Sequence, residues 1–121
     1  MSTFAELHQL RPYLLGEGIS ARVINGERLT LAVVDLEPNA VLPEHKHENE
    51  QLGFVIRGSL TMHIGSDMKE LHLGDTYSIP SQTPHNAAAG PEGATVADVF
   101  APIREEWERL ERADPTPGNW P

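Results

Sequence analysis

The stretch His45-Lys46-His47-Glu48-Asn49-Glu50-Gln51, within NAVLPEHKHENEQLGFVIRGSL (residues 39–60), decides how this chain is read. Side chains alternate faces along an extended strand, so His45 and His47 share one face. Gln51 has the same parity and joins them if the backbone stays extended. Glu50 has the opposite parity and is the competing choice of ligand. Converging neutral nitrogen and oxygen donors suit a transition-metal ion, because imidazole is a favoured ligand of Zn, Cu, Fe and Ni. A fourth donor has to come from elsewhere, and His85 in GDTYSIPSQTPHNA (74–87) is the natural candidate.

Outward from this stretch the chain reads as strands and turns. ISARVI (19–24) and ERLTLAVVDLE (27–37) flank Asn25-Gly26, a pair that tolerates the positive φ of a hairpin turn. In the second run Leu29, Leu31 and Val33 alternate with Arg28, Thr30 and Ala32. LGFVIRG and SLTMHIG are hinged at Gly58, and KELHL follows the turn Gly65-Ser66-Asp67. TYSIP, HNAAA and ATVADVF complete the series. About eight or nine short strands with Gly/Pro punctuation predict an all-β sandwich or barrel.

The ends differ. Thr3 and Glu6 have capping-box spacing ahead of Leu7 and Leu10, which predicts a short N-terminal arm or helix within 1–18. Beyond Pro102, Ile103, Trp107 and Leu110 fall at i, i+4 and i+7, with Glu105–Arg109 and Glu108–Arg112 at i, i+4. That spacing predicts a short C-terminal amphipathic helix within 102–121, followed by DPTPGNWP, a tail held only if Trp120 docks. Residues 19–101 form the barrel domain, and no repeat or linker marks a second one.

Composition narrows the function classes. A chain of 121 residues with 39% apolar and 22% charged residues suits one globular domain. Without cysteine there is no disulfide, thiolate ligand or thiol nucleophile. A net charge of −9 without a Lys/Arg cluster argues against nucleic acid as a partner. The start MSTFAELHQLRPYL does not read as a signal peptide, and no apolar run approaches the roughly 20 residues of a membrane span. The expectation is a cytoplasmic protein without a membrane partner.

PNAVLPEHKHENEQLGFVIRGSL (38–60) resembles the first motif of the cupin family, and GDTYSIPSQTPH (74–85) resembles the second. With the strand series the resemblance covers roughly residues 19–101. It implies one cupin jelly-roll barrel, with both motifs lining one mouth. It also implies a divalent transition metal ion (Ni, Zn, Fe, Mn or Co) on His45, His47, Gln51 and His85, with Gln replacing the usual Glu. A homodimer is expected too, and the second apolar face of Leu52, Phe54 and Ile56 gives it physical support. Asn39, Gln82 and Ala89 depart from the motifs' usual Gly, Gly and Asn without touching a ligand.

ADVFAPIREEW (97–107) is further similar to the terminal segment of small cupins that linearise unsaturated uronates in pectin and alginate breakdown. Their D-x-F-x-x-x-R pattern falls on Asp98, Phe100 and Arg104, which the resemblance makes the catalytic residues, with a small anionic sugar acid as substrate. Each has a plainer reading: a strand-end acid, a core or pocket-wall aromatic, and a partner for Glu108. An acid on an inner strand face is costly unless paired or functional, which favours a role for Asp98. Arg104 suits a substrate carboxylate equally well. His63 and His72 read as solvent-facing or wall residues, with His63 the one that could line the pocket, and His8 reads as surface.

Four uncharged ligands would leave a bound dication its full charge, a Lewis acid for anionic oxygen. The expected reaction is the opening of a 4,5-unsaturated uronate monomer to the linear keto acid, with Asp98 moving the proton. The alternatives are a mononuclear metal dioxygenase or related oxidoreductase, and a non-catalytic metal- or small-ligand-binding cupin.

Overall fold

Two long strands organise the molecule. The computed structural model describes residues 3–120; Met1, Ser2 and Pro121, the outermost positions of the expected arm and tail, lie outside the described residues. The strands are β1 (Tyr13–Gly16), β2 (Ile19–Asn25), β3 (Thr30–Leu36), β4 (Val41–His45), β5 (Glu50–Ile64), β6 (Asp67–His72), β7 (Thr76–Ile79) and β8 (His85–Ala101). All pair antiparallel. β5 and β8, of 15 and 17 residues, each join two of the short runs read from sequence.

Their mutual register shifts between Val55 and Arg57 and again between Gly58 and Leu60. One half of each strand therefore belongs to a front layer with β1, β2, β3 and β7, and the other to a back layer with β4 and β6. Gly58, at φ 70°, makes the bend possible. A Cβ there would stand 2.0 Å from the carbonyl oxygen of Gly93 on the paired strand. The result is an all-β jelly roll.

On β3 the even-numbered residues form the inner face. Thr30, Ala32, Val34 and Leu36 point inward, whereas Leu29 and Leu31 are 52% and 43% exposed. Both faces of this strand are apolar, so alternation alone cannot choose between them; the pairs Ala32–Asp98 and Val34–Val96 do. The hairpin loop is also longer than an Asn-Gly turn. It runs from Gly26 to Leu29 and is closed by the pair Asn25–Thr30. The Thr30 hydroxyl, fully buried, donates to Asn25 Oδ1 at 2.6 Å and accepts from the Arg104 N–H at 2.9 Å.

Neither terminal helix forms as predicted. The arm holds one 3₁₀ turn, Leu7–Gln9, without a side-chain cap from Glu6. The C-terminal helix is a 3₁₀ segment, Glu105–Arg109. Arg104 is pinned at its start by Thr30, and Leu14 N–H bonds the Glu111 carbonyl at 2.9 Å just after it. Too few free residues remain to nucleate an α-helix. Arg104 pairs with Glu106 at 2.7 Å, not with Glu108. Arg112 lies 4.4 Å over the Tyr13 ring and donates to the Arg11 carbonyl.

The tail does dock. Trp120 stacks on His8 at 4.5 Å, and buried Arg22 donates to the Thr116 carbonyl at 2.6 Å while pairing with Asp35 at 3.0 Å. Among the described residues no helix is long and apolar enough to cross a membrane.

Candidate metal centre

β4 ends at His45 and β5 begins at Glu50, so residues 46–49 form a turn and not the extended run assumed from parity. Convergence has another origin. His45 is the cross-strand partner of His85 on β8, and the turn brings His47 over both. The ring centroids lie 4.2 Å (His45–His85), 4.9 Å (His47–His85) and 5.7 Å (His45–His47) apart. One ligand nitrogen from each lies within 4.8 Å of the other two.

All three rings are oriented in the same manner. Each Nδ1 meets a backbone carbonyl two residues away: Pro43 at 2.8 Å, Asn49 at 2.9 Å and Thr83 at 2.8 Å. A carbonyl only accepts, so each Nδ1 carries a proton, and in the neutral ring this leaves the lone pair on Nε2. The Nε2 of His47 is buried without a hydrogen-bond partner. Burial, then the charge of Arg104, lowers the His47 pKa, and burial pushes that of His85 down to about 4. Three aligned imidazoles, one with an unpartnered buried nitrogen, fit a divalent transition-metal ion.

Gln51 is buried and lines the cavity beside this cluster, while Glu50 is exposed. The Gln51 carboxamide neighbours both His47 and Asp98 and favours the charged form of each.

Asp98, 4% exposed, faces the same cavity between Val96 and Phe100. The hydroxyl of Tyr77 donates a short hydrogen bond to its Oδ1. Burial raises the Asp98 pKa to about 6, against the opposing pull of Tyr77, Gln51 and Arg104. Burial, then Asp98, raises the Tyr77 phenol well above its usual value. Gly53 makes room for this pair. A Cβ there would sit 2.1 Å from Asp98 Oδ1 and 2.5 Å from the Tyr77 ring. Gly53→Ala is therefore expected to displace the pair and destabilise the fold by about 1–3 kcal/mol. Chemical denaturation measures the loss, and an unchanged midpoint would remove this role for Gly53.

Arg104 is 9% exposed and stacks between two rings, 4.7 Å over Phe100 and 4.2 Å over Trp107. Its Nε donates to Glu106, and its terminal nitrogens make no hydrogen bond to the protein among the described residues. Asn49 ties the His47 turn to this loop, since its Nδ2 donates to the Pro102 carbonyl and, at 3.3 Å, to that of Ile103. Phe100 serves as wall, edge-on to His47 at 5.9 Å. His63 and His72 are both exposed and outside the cavity lining, the latter 3.2 Å from Glu70.

Sequence reasoning missed Tyr77, Asn49, Trp107 and Glu106 as site residues. Tyr77 carried a usable signal, because it shares strand parity with Ile79 in TYSIP, whereas the glycine it pairs with, Gly53, emerges only from strand pairing. Asn49 has the parity of the histidines but serves as a strut.

A jelly roll with a histidine cluster inside one mouth defines a cupin-type barrel with a candidate metal centre. The chain belongs to the cupin domain family, whose sequence profile matches residues 32–100. The pectin degradation protein KdgF of Dickeya dadantii is 28% identical to it over 95 residues, 77% of this chain and 86% of that protein. The structure of KdgF from Halomonas sp. superposes with a TM-score of 0.80 at 26% identity, covering 88% of this chain and 98% of that one. An acireductone dioxygenase of Alcanivorax borkumensis is 37% identical over 60 residues, 46% of this chain and 33% of that protein, so this chain spans about a third of it.

Proposed function

We propose that this cupin opens 4,5-unsaturated uronate monomers from pectin or alginate breakdown to the linear keto acid. The observation that carries the reading is one cavity lined by His45, His85, Gln51, Asp98, Phe100 and Arg104 together. The likeness to two KdgF proteins, one of them described as a pectin degradation protein, supports it.

A divalent ion on His45, His47, Gln51 and His85 would supply Lewis acidity to an anionic substrate oxygen. Arg104 offers its free guanidinium edge to the uronate carboxylate, and the Phe100–Trp107 stack fixes its plane. Asp98 removes the proton of the anomeric hydroxyl. The freed pair forms the C1 carbonyl, the bond from C1 to the ring oxygen breaks, and an enolate remains across C4, C5 and that oxygen. Asp98 returns its proton to C4, giving the keto acid. Tyr77, donating to Oδ1, and Gln51 hold the carboxyl group in place for this exchange. The substrate and product are isomers, and no oxidant is consumed.

The test is incubation of metal-loaded protein with the unsaturated galacturonate and mannuronate or guluronate products of lyase digestion. Loss of the ring double-bond absorbance is expected for at least one, and persistence of all would end the uronate reading. The stretch shared with acireductone dioxygenase favours oxygen chemistry as the second reading. Oxygen uptake by an Fe²⁺-loaded sample separates the two. Pairing of two copies over the outer face of Leu52 and Phe54 belongs to the same proposal; Ile56, expected on that face, is half-buried, and exposed Leu31 and Val99 extend the apolar surface instead. A monomer mass on sedimentation would remove it.

A further inference from the structure

The cavity is polar at one end only. It measures about 550 Å³. Strand register sorts its walls into levels. On the front layer the first level pairs Gln51 with Phe100, and the second pairs Gly53, beneath Tyr77, with Asp98. The third pairs Val96 with Val34 and Val55, and the fourth pairs Leu36 with Ala94. On the back layer His45 and His85 form the first level, with Leu42, Ala87 and Met62 beneath them and Leu60 deeper still. Below Asp98 and the histidines, the inward walls are hydrocarbon.

We propose that this deep end is an apolar subsite, which takes the hydrocarbon substituent of a small acid whose carboxylate head lies at the histidines and Arg104. The inference rests on the metal-centre reading above and does not require the uronate as substrate. A sugar hydroxyl turned toward Val34, Leu36, Leu60, Met62 and Val96 would leave water without a partner, which is unfavourable. A methylene chain in the same space loses nothing and gains contacts. Far smaller spaces suffice for such ligands, since an apolar cavity of about 150 Å³ already takes benzene. The uronate ring needs only the polar end, with its hydroxyls toward the mouth. The site would therefore accept acids with an alkyl chain as well.

Titration calorimetry with straight-chain 2-oxo acids, from 2-oxopropanoate to 2-oxohexanoate, tests this on Zn²⁺-loaded and metal-free protein. Affinity is expected to rise by about fourfold per added methylene. The control 5-hydroxy-2-oxopentanoate, as long as 2-oxohexanoate but polar at its tip, is expected to bind more weakly than that acid. Val34→Phe, which fills the third level, is expected to remove the gain while leaving 2-oxopropanoate binding unchanged. Val96→Leu is the milder substitute if the first variant does not fold.

A gradient in the loaded protein that is lost without metal supports the proposal, and an equal gradient in both samples overturns it, because the acid head would then not be held at the metal centre. Metal-dependent binding that stays flat or weakens with chain length overturns the subsite and leaves the metal centre standing. Failure of every acid to bind the loaded protein overturns the subsite as well. Turnover of unsaturated uronate, measured separately, reports on the proposed reaction alone.

Discussion

Asp98→Asn is expected to lower turnover of unsaturated uronate by about 10²–10⁴-fold, the usual contribution of a positioned acid–base group, while metal content stays unchanged. The substitution keeps the shape of the side chain, and an amide oxygen still accepts the Tyr77 hydroxyl. It removes only the ability to take and return a proton. The buried carboxyl also gives the variant a stability signature. The Asp98 pKa rises from 3.8 to about 6 on burial, so the folded protein holds this proton more tightly than the unfolded chain. The native protein therefore loses stability as pH rises from about 4 to about 6, and the loss persists above that window. An asparagine carries no such penalty, so the melting temperature of Asp98→Asn at pH 8 should equal or exceed that of the native protein. Low turnover with a preserved melting temperature supports the proton-transfer role. Retained turnover would end it.

His85→Ala is expected to abolish stoichiometric metal binding. His85 is buried, is the cross-strand partner of His45, and has its ring within 5 Å of both other imidazoles. Loss of an outer hydrogen-bonding partner of a metal ligand alone typically costs about 10–100-fold in affinity, and removing a ligand should exceed that. His63→Ala is the control, since His63 is exposed and outside the cavity. Elemental analysis after dialysis against a weak chelator measures both. Full metal content in His85→Ala would remove the ion from the three-histidine cluster, whatever the reaction.

Much of this site was legible because its parts lie close together along the chain. His45, His47 and Gln51 fall within seven residues, and His85 follows a Pro-rich turn. Asp98, Phe100 and Arg104 stand at the spacing of a recognisable terminal segment. The local reason given for convergence was nevertheless incomplete. His47 reaches the cluster from a turn, not from a strand, and the histidine rings owe their aim to carbonyls of Pro43, Asn49 and Thr83. The C-terminal periodicity predicts a helix, yet attachments at Arg104 and Glu111 leave room only for a 3₁₀ segment.

The sequence by itself determined the all-β class, the three candidate histidines and the face that Asp98 shares with Val96 and Phe100, because these follow from alternation and short-range motifs. Tertiary structure alone decided the inner face of β3, the Tyr77–Asp98 pair over Gly53, the Asn49 strut, the Arg104–Glu106 contact and the apolar floor of the cavity. The physical reason is that periodicity says which side chains share a face, whereas pairing between distant strands says which face is inside and what stands opposite it.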